Sequence, residues 1–233
     1  MLPMRDHGVE DYAALRCMDT TDVGVLTEDD QACFDELGQY LVSADAWQQF
    51  AIWLLHKHFE PAPGELFVEC ALTATRKTET SPIERSAFGT LNATAMRFDG
   101  TVSSGVGLIG MEYAEPADFG PTSPLSADDE AVLVGIAERL AVHGKTERFG
   151  VRMINDALAM SEDELLLETS DSAQRTLQCV VAQRDSIAAR NNVETTWRWK
   201  PVEGETGRTV MQQCFSSCEV GPPTCHFFAA ALR

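Results

Sequence analysis

The chain has 233 residues, 44% of them hydrophobic and 23% charged, a composition suited to a folded core and without a dominant disorder signature. Its 36 acidic side chains against 18 lysines and arginines leave a formal charge of −18, which opposes binding to nucleic acid or anionic lipid, since both require a basic surface. No apolar run approaches the roughly 20 residues that a transmembrane helix needs.

Residues 1–25 precede any periodic pattern and read as a loosely tied N-terminal arm. They lack the apolar core and cleavage site of a secretory leader, so a cytoplasmic location is expected. In that setting the seven cysteines (Cys17, Cys33, Cys70, Cys179, Cys214, Cys218 and Cys225) are expected to be thiols.

From Leu26 the chain is written twice, at an offset of 99 residues. Leu26, Asp29, Asp30, Leu41, Phe50, Glu65 and Glu69 recur as Leu125, Asp128, Asp129, Leu140, Phe149, Glu164 and Glu168. Each copy opens with a predicted helix. Thr27 and Ser126 cap them, acids follow at the positive end of the helix dipole, and the stripes Phe34/Leu37/Leu41 and Leu133/Ile136/Leu140 have helical spacing. Apolar β-formers at 50–55 and 149–154 predict a strand, which a turn at 61–64 or 160–163 should fold back against the next strand as a long-looped hairpin. Further strands are predicted at 106–113, 175–183, 193–199 and 210–215, with another at 226–231. The resulting expectation is α+β: an internally duplicated helix-plus-antiparallel-sheet unit with pseudo-twofold symmetry. Its parts would be the arm at 1–25, a first repeat at 26–114, a Pro-rich connector at 115–124, and a second repeat at 125–233 with a Cys-rich end.

Features present in one copy only are not needed to build the unit, so they are the candidates for chemistry. His56-Lys57-His58 is the largest difference, replaced by Asn155-Asp156-Ala157. On a strand, residues two apart point the same way, so two imidazoles project together and can share a metal ion. Exposed histidines at a hairpin end are the plainer alternative. The second difference is Cys214, Cys218, Cys225 and His226, four soft or borderline donors around a Gly-Pro-Pro turn. Buried or redox-active thiols are the alternative there. Glu65 or Glu69 could serve as an acid or base beside a mixed His/Cys site, but both recur as Glu164 and Glu168, so these glutamates are expected to pair with Arg76, Arg97, Arg175 or Arg198 across strands.

Gly105-Val106-Gly107-Leu108-Ile109-Gly110 spells a dinucleotide fingerprint, but no helix start follows it, so a Gly-rich strand is expected. The functional expectation is a metal-binding protein acting on a small molecule. His56 and His58 would be the catalytic and metal residues, with Cys214, Cys218, Cys225 and His226 as further ligands and zinc or iron as the ion. The alternative is a non-catalytic assembly protein that presents an acidic surface and pairs sheet edges into a homodimer.

Overall fold

The computed structural model describes residues 2–18, 21–100, 105–118, 125–154, 157–187, 192–204 and 207–219. In chain order the elements are β1 (Met4–Asp6), α1 (Val9–Ala13), β2 (Arg16–Cys17), α2 (Glu28–Ser43), β3 (Phe50–Leu54), β4 (His56–Lys57), β5 (Glu65–Leu72), β6 (Lys77–Glu84), β7 (Asn92–Asp99) and β8 (Gly107–Ala114). There follow α3 (Ala127–Val142), β9 (Phe149–Met153), β10 (Glu164–Asp171), β11 (Thr176–Gln183), α4 (Arg184–Ile187), β12 (Asn192–Gly204) and β13 (Gly207–Glu219).

Ten strands form one closed ring in the order β8-β5-β6-β11-β10-β13-β12-β3-β9-β7, with β7 pairing back onto β8. The architecture is therefore a mixed β-barrel, and the expected pair of α+β units is corrected. The physical reason lies in the strand edges. An open sheet in each segment would leave unpaired N–H and C=O rows, whereas pairing β6 with β11, β12 with β3, β3 with β9 and β9 with β7 leaves the ring without an edge. The predicted hairpins are corrected too: β3 pairs β9 and β12, while β5 pairs β6 and β8. The Gly-rich hexapeptide runs into β8, as a strand should.

Helices α2 and α3 begin where the capping residues predict. Thr27 Oγ1 accepts from Asp30 N and Asp30 Oδ2 from Thr27 N, and Ser126 and Asp129 repeat this box. Their apolar stripes lie on one face of the barrel wall, where Phe34, Leu37, Leu41, Leu133, Ile136 and Leu140 pack with Phe50, Ile52, Phe149, Val151, Trp197 and Trp199. The alternate residues of the same strands turn to the barrel interior. There Trp53 and Ala95 join Phe67, Ile109 and Met111.

The N-terminal arm is not loose. β1 runs parallel to β8, Tyr12 Oη donates to the Met111 carbonyl at 2.6 Å, and β2 pairs with β4. Cys17 is disulfide-bonded, which corrects the reading of every cysteine as a thiol, while Cys33, Cys70, Cys179, Cys214 and Cys218 are free. Among the described residues no helix is long and apolar enough to cross a membrane.

Candidate metal centre

β3 ends at Leu54, and the chain continues into β4, which carries His56. His56 Nδ1 lies 2.7 Å from the Leu54 carbonyl oxygen. Only a protonated Nδ1 can donate there, so in the neutral ring the lone pair sits on Nε2. His58, two residues on, turns its own Nε2 to within 3.2 Å of that atom. The strand-like spacing read from the sequence thus brings both imidazoles to one point.

Glu168 arrives from β10 and Cys218 from β13, in register with each other across the parallel pair. Glu168 Oε2 lies 3.6 Å from His56 Nε2, and Cys218 Sγ lies 4.0 Å from His58 Nε2. All four ligand atoms fall within 4.8 Å of one another, a grouping that could hold a metal ion. His56, Glu168 and Cys218 are buried, and His58 is partly exposed.

Glu168 is held from one side. A bulge in β12 near Thr195 turns its hydroxyl inward, where it donates to Glu168 Oε1 at 2.9 Å and contacts Ser216 Oγ at 2.8 Å. The second carboxylate oxygen, Oε2, is buried without a hydrogen-bond partner among the described residues and faces the histidines. A buried acceptor left unpaired is costly unless something else satisfies it.

The ionisation states suit ligation. Burial, reinforced by the adjacent His56, depresses His58 to about 3, which leaves a neutral ring. Burial alone would raise Glu168, but the facing His56, with His58 and Arg152 adding, holds it at about 2, so it is anionic. Burial pushes the Cys218 thiol well up, with Glu168 and Glu219 adding, so a metal would have to displace its proton.

The rest of the polar interior lies beside this group. Arg152 of β9 donates to Glu112 Oε2 at 2.9 Å and to Glu69 Oε2 at 3.0 Å, all three side chains being buried. Burial raises Glu112, and Arg152 only partly offsets it. The expected glutamate–arginine pairs occur for Glu65 with Arg175 at 2.6 Å and Glu164 with Arg76 at 2.7 Å. Glu69 also takes an arginine, but Arg152 rather than one of the four expected, and only Glu168 departs from the pattern by facing the histidines.

Of the cysteines expected to bind metal, Cys218 reaches the group and Cys214 does not. Cys214 Sγ lies 3.2 Å from the Ser216 carbonyl oxygen and packs beside Leu165, Leu167 and Ile187. Cys225 and His226 lie outside the described residues. Sequence reasoning did not select Glu168 as a ligand or Arg152 as its neighbour. The available signal was a glutamate inside the apolar run Glu164–Glu168, on the same strand face as Leu166. Compared with protein-family models, curated proteins and solved structures, the chain matches none of them.

Proposed function

We propose that this protein binds one divalent transition metal, zinc or iron, through His56 Nε2, His58 Nε2, Glu168 and Cys218, and uses it on a small molecule. The observation that carries this reading is the convergence of four ligand atoms within 4.8 Å inside the barrel. Their spacing supports it. Around a tetrahedral ion two imidazole nitrogens stand about 3.3 Å apart and a nitrogen and a thiolate about 3.6 Å, against 3.2 and 4.0 Å here.

Charge supports it as well. Glu69 and Glu112 share the buried guanidinium of Arg152, whereas the buried Glu168 faces only the imidazoles, so a cation between them would give its carboxylate a partner. A buried charge is strongly unfavourable without a partner, and a divalent ion would partner this carboxylate. Imidazole and thiolate donors favour zinc or iron over magnesium or calcium. The bound ion would act as a Lewis acid, with His56 and His58 as the residues on which activity depends.

Elemental analysis of protein purified without a histidine tag tests the reading. Near-stoichiometric zinc or iron is expected in the wild type, and a large loss in His58→Ala. A folded protein with no bound metal, which takes up none on dialysis against zinc or ferrous iron, would refute it.

A further inference from the structure

Where the N-terminal arm crosses the barrel wall, a cavity of about 120 Å³ stands partly open to solvent. Its floor is apolar. Leu15 and Val23 of the arm line it together with Leu54 and Leu55, at and just beyond the end of β3, and all four are buried. An engineered apolar cavity of about 150 Å³ takes a benzene ring, so this floor has room for an apolar body of several carbon atoms. None of the proposed metal ligands lines it.

The rim is charged, with Arg16 and Glu147 exposed and Arg148 half-buried. The two acids beside the cavity are already paired. Arg97 lies 3.4 Å from Glu147, while Lys145 at 2.8 Å and Arg148 at 3.4 Å share Asp30. Three cations thus hold two carboxylates, and Arg16 is left over. Its guanidinium has no hydrogen bond or ion pair among the described residues, although acids outnumber lysines and arginines 36 to 18 in this chain.

A guanidinium is a planar fork of donors whose natural partner is a carboxylate. Beside an apolar floor, it selects a ligand that has both parts. Inorganic phosphate would satisfy the rim and leave the floor in contact with water, whereas a neutral hydrocarbon would cover the floor and gain nothing from the rim.

We infer that the cavity binds a small aliphatic monocarboxylate, with its chain on the four apolar residues and its carboxylate on Arg16, Arg148 adding to the attraction. This site is independent of the metal reading.

The test uses the full chain as purified, with sodium valerate as probe and valeramide and inorganic phosphate as controls. Millimolar valerate should bind, and its methyl protons should give intermolecular nuclear Overhauser contacts to the methyls of Val23, Leu54 and Leu55. Treatment with EDTA should change neither result, so the outcome stands whether or not the metal reading holds. Valeramide, which keeps the shape and lacks the charge, should bind about 3–10-fold more weakly, the effect of a charge-assisted contact at an exposed rim. Arg16→Gln should weaken valerate by a similar factor at an unchanged melting temperature, and Glu147→Gln should tighten it. Failure of the wild type to bind valerate, contacts that map elsewhere on the chain, or valeramide bound as tightly would each overturn the inference. So would unchanged affinity in Arg16→Gln. Phosphate that displaces valerate at equal concentration would also overturn it, by showing a site for any anion. Weaker binding in Glu147→Gln would do the same, by showing that the carboxylate on the rim helps rather than opposes the ligand.

Discussion

The contact between His56 Nδ1 and the Leu54 carbonyl decides what this histidine can offer, because a ring that donates through Nδ1 presents its Nε2 lone pair. His58 needs no such contact to be ligand-ready, since burial keeps it neutral. His58→Ala should therefore lower zinc affinity at least tenfold with little loss of folding, as should Glu168→Gln, which keeps the shape and removes the charge. Competition against a chromophoric chelator measures both. His56→Ala is a poorer probe, because it strips the buried Glu168 charge of its nearest partner and would destabilise the fold as well. Cys214→Ser should leave affinity unchanged, since Cys214 packs with Leu165, Leu167 and Ile187 away from the cluster. The two histidines were legible in the sequence because strand spacing alone aims them together. Glu168 was not, because its counterpart Glu69 has the same sequence setting and a different partner, Arg152, which only the assembled barrel reveals.

At the level of elements, α2 shows two opposed effects at one glycine. Gly38→Ala raises helix propensity by about 1 kcal/mol, but a Cβ there would lie 2.3 Å from the Trp199 ring, whose side chain is fully buried beneath the helix. Overpacking of this kind costs typically 1–3 kcal/mol, so the variant should melt lower than the wild type; a higher melting temperature would show that the ring can move aside. The same helix gives a pH dependence. Burial by itself would raise the Asp30 carboxyl, but Lys145 at 2.8 Å and the Thr27 capping bonds outweigh it and hold it below its usual value. Asp129 is lowered by Ser126 and Gln49 in the matching place. A depressed carboxylate stabilises fully above its unfolded value near 4 and loses that contribution as pH falls through the folded value. Asp30→Asn should thus lose about 1.5–3 kcal/mol at pH 7, a gap in urea midpoint that narrows toward pH 3. Helices and strands of this kind were legible because caps and periodicity are local. Strand partners were not: the partner of β3 lies in β9, with Ile52 opposite Val151 and Leu54 opposite Phe149, and nothing within either segment specifies that choice.

The whole molecule is a ring that places its most expensive groups at the centre. Four seams, β6 with β11, β12 with β3, β3 with β9 and β9 with β7, join segments far apart in sequence, and Arg76–Glu164 and Arg175–Glu65 also tie distant parts of the chain. Closure removes the sheet edges, but it also confines Glu69, Glu112, Glu168 and Arg152 to an interior where solvent cannot screen them. Without metal a proton is retained most readily on Glu112, which burial raises. A metal that binds only the native state should appear as stability. At a free metal concentration 100 times the dissociation constant the native state gains about 2.7 kcal/mol. For a chain of this size each kcal/mol moves the melting temperature by roughly 2–4 °C. Chelation with EDTA should accordingly lower the melting temperature of the wild type by about 5–10 °C, reversibly on adding zinc or ferrous iron. In Glu168→Gln, with affinity lowered at least tenfold, the same treatment should lower the melting temperature by about half as much or less. Because its surroundings hold Glu168 below the ordinary carboxylate value, the fold favours its charge, and the metal-free variant should melt somewhat lower than the metal-free wild type at neutral pH. If it melts no lower instead, the contacts with His56 and Thr195 add nothing to the stability of the fold, and the carboxylate serves the metal alone.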